Sequence, residues 1–376
     1  MRQLSVTAFR SYRSARLSVS SHSVVLTGMN GAGKTNLLEA LSFLAPGRGL
    51  RRAQMAQVQN RQEIAVQWAI SASVETPEGP RRVGTGRDPD SETERRVIRI
   101  DGAPTRGHNA LSDLGAISWQ TPDMDGLFTG GASARRQFLD RLVFGFFPSH
   151  AAQLSGYERA MRDRNRLLKD GGRDPVWLDA LEVAMAEQGI AIAAARIEFV
   201  ARLASSCAEA VSVFPAPSLA IDGMTEELAA GSPSLLAEQA LRARLAESRG
   251  QDAEAGRALV GPHRSDLAVR YAARDMPAAL CSTGEQKALL IALILGAARL
   301  QRIERGAAPL LLLDEIAAHL DAERRAALFH EIDALGAQAW MTGTDASLFE
   351  ALAGRATFVV VEDGDLAISH QPNTST

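Results

Sequence analysis

The chain has 376 residues, 46% of them hydrophobic and 23% charged, so it can bury a sizeable core and is expected to form two lobes. The formal net charge of −3 excludes a uniformly basic coat for nucleic acid but leaves room for local basic patches. The two cysteines, Cys207 and Cys281, exclude a disulfide scaffold and fit no zinc motif, which favours a reducing compartment.

The amino-terminal stretch is rich in arginine and has no apolar core typical of a signal peptide. No apolar run reaches the roughly 18 residues that a membrane-spanning helix needs. The sequence therefore predicts a cytoplasmic protein.

Strand-like alternation of apolar and polar residues dominates the first part of the chain. The alternating runs are LSVTAF, ARLSV, SVVLTG, EIAVQWAISASV, RRVGTG and ERRVIRIDG. One helix interrupts them, beginning near Lys34 and ending at Pro46. The charged residues 86–96 are expected to form an exposed hairpin loop.

Helical patterns then dominate up to residue 256, after which strands and helices alternate again. The later strands are SDLAVRY, PLLLLDE, AQAWMTG, TFVVVE and DLAIS, the last two joined at Asp363-Gly364. This order predicts an α/β lobe built from both chain ends, residues 1–119 and 257–376, with a helical lobe, 120–256, inserted between them.

The segment GMNGAGKT fits the phosphate-binding pattern G-x-x-x-x-G-K-[ST]. Gly28, Gly31 and Gly33 allow a tight turn whose N–H groups can point at phosphate oxygens. Lys34 is expected to reach the β- and γ-phosphates, and the Thr35 hydroxyl to bind Mg²⁺. A chance match is the alternative, but a strand precedes the segment and an apolar helix follows it. The other expected nucleotide contacts are Asn30, Ala32 and Asn36.

A run of leucines ends in two carboxylates, Asp314 and Glu315. Such a run is typical of a central parallel strand, and ligands of open α/β sheets bind at the carboxyl ends of such strands. Asp314 is expected to hold Mg²⁺ through water, and Glu315 to act as general base for an attacking water. A solvated turn is the alternative, but adjacent carboxylates at a dry strand end repel each other without a cation.

Residues 282–287 read STGEQK and begin a strongly apolar segment, which indicates the start of a helix. An ordinary cap needs a single Ser or Thr, so the longer polar run indicates that this helix end binds another group. An elaborate N-cap is the alternative.

The phosphate loop, the strand ending in Asp-Glu and this helix end occur together in the ABC-type ATPase heads, which the chain resembles. The signature of those heads is Leu-Ser-Gly-Gly-Gln, and CSTGEQ resembles it at Ser282, Gly284 and Gln286. Thr283 and Glu285 depart from it.

Further stretches narrow the resemblance. AAHLD, which ends at Asp321, resembles the D-loop of the same heads. The opening LSVTAFRSYRSARLSV resembles the RecF, SMC and Rad50 branch. Four stretches spread over the chain resemble the RecF family itself: GKTNLLEALSFLAPGRGLRR, SARRQFLDRLV, YERAMRDRNRLLK and GPHRSDL.

The resemblance implies the α/β fold of an ABC-ATPase head, with a phosphate-loop lobe I and an inserted helical lobe II. It implies ATP and Mg²⁺ as cofactors and a weak, DNA-dependent ATPase with Lys34 and Glu315 as catalytic residues. Ser282, Gly284, Gln286 and Asp321 would be further nucleotide contacts. Ser282 and Gly284 would contact the γ-phosphate bound by a second copy, so that ATP joins a homodimer. The implied partners are double-stranded and gapped DNA, RecR with RecO, and indirectly RecA, in recombinational repair and replication.

Some residue roles stay open. Gln120 lies where a Q-loop glutamine would contact the metal, although RecF relatives often lack one. Thr342 or Thr344 stands where transporter-type heads carry a switch histidine, and either could position water. His263 could contact a partner or a phosphate, but hydrogen bonding in a tight turn is favoured. His319, within the D-loop stretch, has no assigned role.

Several arginine groups are candidates for contacts with DNA phosphates, although a solvated or ion-paired surface is the usual explanation for each. They are Arg48-Arg51-Arg52, Arg81-Arg82, Arg95-Arg96, Arg135-Arg136 and Arg162-Arg164-Arg166. Two other kinds of protein stay open as alternatives: the ATPase subunit of a membrane transporter, and an SMC- or Rad50-like head. The insert of roughly 130 residues is too short for the coiled-coil arms of such a head.

Overall fold

Except for the side chain of His319, the computed structural model describes residues 1–63, 66–76, 78–88, 96–105, 111, 115–171 and 174–369. The chain divides into two compact units, one made of Met1–Met124 with Ala297–Thr376 and the other of Asp125–Gly296. We call the first the α/β unit and the second the helical unit.

Strands and helices are numbered along the whole chain. The strands are β1 (Gln3–Phe9), β2 (Tyr12–Ser18), β3 (Ser23–Thr27), β4 (Ala69–Thr76), β5 (Gly79–Arg87), β6 (Arg96–Ile100), β7 (Ala103–Pro104), β8 (Ile117–Gln120), β9 (Pro217–Asp222), β10 (Asp266–Tyr271), β11 (Met276–Pro277), β12 (Leu310–Leu313), β13 (Ala339–Gly343), β14 (Ala356–Glu362) and β15 (Asp365–Ser369). The α-helices are α1 (Lys34–Ser42), α2 (Met55–Val58), α3 (Ala132–Val143), α4 (His150–Lys169), α5 (Pro175–Ala208), α6 (Met224–Gly231), α7 (Ser234–Glu247), α8 (Arg249–Ala255), α9 (Thr283–Arg305) and α10 (Ala322–Leu335).

The described part of the α/β unit contains two six-stranded sheets. The first is antiparallel and has the order β2-β1-β4-β5-β6-β7. The second has the order β15-β14-β3-β13-β12-β8 and is parallel except for its edge strand β15. β3 and β13 are buried along their whole length, as strands covered on both faces are. The carboxyl ends of β3, β8, β12 and β13 therefore meet at one edge of this sheet.

One hydrophobic cluster joins both sheets and α1. It contains Val6 of the first sheet, Leu26 and Trp340 of the second, and Leu37 and Leu41 of α1, all fully or almost fully buried. Residues 37–42 of α1 are all buried, so this part of the helix is enclosed on all sides rather than on one face. This burial holds the start of α1 at the end of β3.

The turn between β14 and β15 forms at the predicted junction. Asp363 and Gly364 have φ angles of 47° and 88° and separate the paired residues Glu362 and Asp365. Two positive φ angles in a two-residue loop are typical of the tight hairpin turns that favour Asp-Gly.

The helical unit contains α3 to α8, the start of α9 and a small antiparallel sheet of order β11-β10-β9. Its core includes Met185 and Ile192 of α5 and Leu241 and Leu245 of α7. The 34-residue helix α5 begins with Asp174 as its N-cap, whose side chain accepts from the backbone N–H groups that follow. None of the described helices is long and apolar enough to cross a membrane.

The borders of the compact units differ from those that the sequence predicts. The sequence predicts changes after residues 119 and 256, whereas the units change after residues 124 and 296. Part of the second difference arises because β10 pairs along its whole length with β9, which assigns the strand SDLAVRY to the helical unit. The start of α9, up to Gly296, belongs to this unit as well. Of the predicted loop 86–96, residues 89–95 lie outside the described part of the chain.

Candidate nucleotide-binding site

The glycine-rich segment forms a tight loop between β3 and α1. Gly28, Gly31 and Gly33 have φ angles of 147°, 87° and 116°, in the region that favours glycine. A Cβ atom on Gly28 would collide with the carbonyl oxygen of Val361, and one on Gly33 would lie 2.7 Å from the Ser11 hydroxyl. This loop therefore tolerates no side chain at Gly28 or Gly33.

Neighbouring strands hold the loop in place. The Tyr12 hydroxyl donates to the carbonyl of Gly33 over 3.0 Å, and burial raises the pKa of Tyr12, so the hydroxyl keeps its proton. The backbone N–H of Gly364 donates to the carbonyl of Ala32 over 3.3 Å. Asn30 is exposed at the outer end of the loop. The loop is thus preorganised by contacts from β2 and from the turn between β14 and β15.

Lys34 is the buried cation of the loop. Its side chain is buried, and Nζ donates to the carbonyls of Gly28 and Met29 over 2.6 and 2.9 Å. Burial lowers the pKa of Lys34, and the nearby carboxylates of Glu315 and Asp314 oppose that effect. Nζ of Lys34 can exchange these two carbonyls for phosphate oxygens, which are stronger acceptors, while its side chain stays at the loop.

Thr35 and Asp314 lie in direct contact at the edge where the parallel strands end. The Thr35 hydroxyl lies 3.1 and 3.0 Å from the two carboxylate oxygens of Asp314. The Thr342 hydroxyl donates to Asp314 over 2.7 Å and accepts from the backbone N–H of Glu315 over 2.8 Å. Burial raises the pKa of Asp314, and the bonds from Thr342 and Thr35 partly oppose it. Thr342 rather than the exposed Thr344 therefore belongs to this cluster.

Glu315 follows in an unusual backbone conformation. Its φ and ψ angles are 51° and 30°, a left-handed geometry that is uncommon for a residue with a side chain. The hydrogen bond from its N–H to Thr342 holds that geometry. Strained backbone of this kind clusters at functional sites, which fits a carboxylate that must be aimed.

The side chains of this cluster fit a hard cation and a polyphosphate. Mg²⁺ prefers oxygen ligands, and the Thr35 hydroxyl and the Asp314 carboxylate supply them at one point. The glycine turn leads into the N-terminus of α1, where backbone N–H groups and the helix dipole favour an anion. Gln120 is fully buried at the end of β8, and its carbonyl accepts from the N–H of Asp314 over 2.9 Å. A metal contact by its side chain stays a prediction.

A buried glutamate in α1 was missed by the sequence reasoning. Glu39 is fully buried and accepts two bonds from Arg10, of 2.9 and 2.7 Å, and one from Arg51, of 3.3 Å. Arg51 also donates to Asn36 over 2.9 Å, and Asn36 donates to Ser11 over 3.0 Å. This network braces the first turns of α1 beside the glycine loop. A carboxylate inside the apolar run NLLEALSFLA was the available signal.

The STGEQK helix end, in the helical unit, forms a capping box. The N–H and the hydroxyl of Ser282 both donate to the Glu285 carboxylate, over 3.0 and 2.8 Å, and the Glu285 N–H points back at the Ser282 hydroxyl, 3.4 Å away. Arg274 completes the group with a bond of 2.5 Å to Glu285. The structure therefore forms the elaborate N-cap that the sequence left as the alternative, and the spacing Ser-x-x-Glu was its signal.

Gln286 has an internal role in this structure. Its side chain is buried and its amide donates to the carbonyl of Cys281 over 2.8 Å. Without a gap, the five-residue ABC signature covers Cys281 to Glu285, so Glu285 and not Gln286 takes the position of its glutamine. Gly284 lies within the first turn of α9. A contact of Ser282 or Gly284 with a nucleotide stays a prediction.

Asp321 and His263 both make structural bonds. The Asp321 carboxylate caps α10 by accepting from the N–H of Arg324 over 2.8 Å. His263 bonds to the Tyr157 hydroxyl through Nδ1 over 2.7 Å and to the carbonyl of Ala258 through Nε2 over 3.0 Å. Because a carbonyl can only accept, Nε2 donates and Nδ1 accepts. The favoured hydrogen-bonding role of His263 is confirmed, whereas the side chain of His319 lies outside the described part of the chain.

Known proteins share both the sequence and the fold. The family model of the RecF/RecN/SMC N-terminal domain matches residues 1–364. DNA replication and repair protein RecF of Allorhizobium ampelinum is 52% identical over 97% of this chain and 98% of that protein. The RecF of a Rhizobium etli strain is 50% identical over 96% and 97%.

Solved structures give the fold alone, because their sequence identity is low. The structure named recombination mediator protein RecF-ATPrS in the RecFOR pathway has a TM-score of 0.84 at 22% identity, over 98% of both chains. The corresponding RecF-ATP structure has a TM-score of 0.83 at 21% identity, over 98% and 97%. An Smc head domain derived from Pyrococcus furiosus has a TM-score of 0.54 at 16% identity, over 98% and 95%. The chain has the ABC-ATPase head fold and belongs to the RecF family of DNA replication and repair proteins.

Proposed function

We propose that this chain is an ATP-dependent DNA-binding protein of recombinational repair and replication. ATP binding joins two copies head to head on double-stranded or gapped DNA, and slow ATP hydrolysis separates them again. The relatives' names, which state DNA replication and repair, support this role. The observation that carries it is the contact of Thr35, Asp314 and Thr342 beside the glycine loop.

Each side chain of that cluster has a defined task in the proposal. Lys34 exchanges its two loop carbonyls for phosphate oxygens of ATP. Thr35 and Asp314 are the residues that would hold Mg²⁺, which when bound offsets the negative charge of the phosphates. Glu315, aimed by its bond to Thr342, accepts the proton of the attacking water as general base.

Pairing uses the capped end of α9. Ser282 and Gly284 of one copy contact the γ-phosphate bound by the other, and two-fold symmetry repeats the contact. The Ser282 hydroxyl bonds to Glu285 in the free chain, so it has to change partner when a phosphate arrives. A ligand that binds only the paired form stabilises that form by mass action, which makes ATP the signal for pairing.

The proposed partners follow from the family. They are double-stranded and gapped DNA, bound mainly through phosphates, and RecR with RecO, through which the chain acts indirectly on RecA. The proposed activity is a weak ATPase that DNA stimulates. The distribution of exposed arginines supports phosphate contacts in the absence of a strongly basic overall charge.

Two measurements test the proposal together. Light scattering with ATP and Mg²⁺ is expected to show pairs for the natural chain, single copies for Lys34→Arg and persistent pairs for Glu315→Gln. Retention of duplex, gapped and single-stranded DNA is expected to require ATP and to fall as salt rises. Single copies of Glu315→Gln, or DNA retention that is the same without ATP, would count against the proposal.

A further inference from the structure

Helix α4 of the helical unit carries a row of exposed cations. Arg159, Arg162, Arg166 and Lys169 are all exposed and follow one another at spacings of three, four and three residues. Each residue of an α-helix advances about 100°, so these four lie within a sector of about 80° on the solvent side. We call this row the α4 stripe.

The arginine in the middle of the same segment points the other way. Arg164 is fully buried and donates to Glu182 over 2.9 Å, to Asp252 over 2.7 Å and to the carbonyl of Leu245 over 2.7 Å. Its charge is used inside the helical unit. The sequence alone could not tell which members of the group Arg162-Arg164-Arg166 are exposed. In the structure, only Arg162 and Arg166 are available to an external partner.

Acidic residues flank the α4 stripe and do not cover it. Glu158 lies 3.9 Å from Arg162, and Asp163 lies 3.4 Å from Arg166, with the two arginine side chains 66% and 69% exposed. Exposed ion pairs at such spacings contribute little to stability and are screened by salt. By the helical angle, both acids lie at the margins of the sector that the cations fill. The arginines can therefore exchange these partners for stronger anions.

Arg96 and the pair Arg135-Arg136 are less available. Arg135 makes two bonds of 2.7 Å to Asp266, and Arg136 donates to the carbonyl of Ser265 over 2.5 Å. Arg96 is taken up by backbone carbonyls, among them that of Gly47 at 2.7 Å. These guanidinium groups already have strong partners within the fold.

We propose that the α4 stripe binds the sugar-phosphate backbone of double-stranded DNA. The inference rests on the proposed function and names the surface that serves it. The stripe spans about 15 Å at 1.5 Å per residue, which matches roughly four base-pair steps of 3.4 Å. The exposed face of α4 carries no aromatic side chain on which unpaired bases could stack. A surface with cations but no stacking side chains favours the phosphates of duplex DNA and gives no preference for base sequence.

A triple variant, Arg162→Ala with Arg166→Ala and Lys169→Ala, tests the stripe in the full chain. Fluorescence anisotropy with a labelled duplex is measured at several salt concentrations in the presence of ATP and Mg²⁺. Each lost phosphate contact reduces the slope of log affinity against log salt concentration by about one. For the triple variant we therefore expect this slope to fall by about two to three and the affinity to fall roughly tenfold or more. Arg162→Lys with Arg166→Lys is expected to keep most of the binding, because lysine also neutralises phosphates and the charges remain.

A matched variant removes the same number of exposed cations elsewhere in the helical unit: Arg242, Arg244 and Arg257, each changed to alanine. It is expected to bind the duplex almost as the natural chain does. Equal loss in both triple variants would show that only net charge matters and would overturn the inference. A loss confined to single-stranded DNA would overturn it as well.

Failure of the inference can be told from failure of the proposed function. ATP-driven pairing of the stripe variant is measured by light scattering and is expected to be unchanged. If the natural chain binds duplex with ATP and the stripe variant binds equally well, only the α4 stripe is excluded. If the natural chain itself does not retain duplex with ATP, the proposed function fails first.

Discussion

Glu285 places a negative charge at the N-terminus of α9, where an incoming phosphate would also have to lie. The backbone N–H and the hydroxyl of Ser282 both bond to this carboxylate and lower the pKa of Glu285, so it stays ionised. Arg274 bonds to it from the side. A carboxylate stabilises the free helix end, but it competes with any second anion for the same N–H groups.

Glu285→Gln is expected to ease ATP-driven pairing. Glutamine also forms a capping box, so the helix end survives while its negative charge is lost. Removing this repulsion is expected to lower the ATP concentration needed for half-maximal pairing several-fold. Light scattering at increasing ATP concentrations measures the concentration needed for half-maximal pairing. Glu285→Ala, which breaks the cap as well, is the control, and a higher ATP requirement for Glu285→Gln would contradict this explanation.

At the scale of single elements, the loop between β3 and α1 shows how the sequence sets a local shape. The positions of its glycines, the start of α1 at Lys34 and the buried strand β12 were all predictable, because each depends on a short run of residues. The capping box was present in the spacing of Ser282 and Glu285. The brace around Glu39 was not predictable, because Arg10 comes from a distant part of the chain.

Gly33→Ala is expected to abolish nucleotide binding and to leave most of the fold in place. The new methyl group would lie 2.7 Å from the Ser11 hydroxyl at a φ angle of 116°, so the loop must shift. Such backbone strain costs about 1 to 3 kcal/mol. Titration with a fluorescent ATP analogue checks binding, and thermal unfolding checks the fold.

Gly47→Ala is the matched control for that substitution. Gly47 also has a positive φ angle, of 97°, but no described atom would lie within 4 Å of its new Cβ. It should bind the analogue normally at a similar cost in stability. Undiminished binding by Gly33→Ala would show that the glycine loop is not the nucleotide site, and equal loss in both variants would show that the loss comes from general destabilisation.

At the scale of the whole molecule, the helical unit has a core of charges as well as of apolar side chains. Arg164 bonds to Glu182 and Asp252, and Arg249 bonds to Glu182 and to Asp179. The helical character of this region was predictable from periodicity. Its extent was not, because the pairing of β10 with β9 joins segments far apart in sequence and has no local signature.

Arg164→Met is expected to destabilise the helical unit by about 3 to 5 kcal/mol, because two carboxylates lose a buried partner. Unfolding in urea, followed by circular dichroism, measures the loss. Arg162→Met, two residues earlier on the exposed face, should change stability by about 0.5 kcal/mol or less. Similar midpoints for the two variants would show that the buried bonds of Arg164 contribute little.

The order of strands in the second sheet has a consequence for biosynthesis. β3 is among the first strands that the ribosome releases, yet its neighbours β13 and β14 come from the end of the chain. Until those strands emerge, both edges of β3 are unpaired. Unpaired strand edges are prone to aggregation, and chaperones bind such segments in growing chains. A chain that still lacks β13 and β14 therefore cannot complete this sheet around the loop, and the proposed ATP site forms only after those strands have been made.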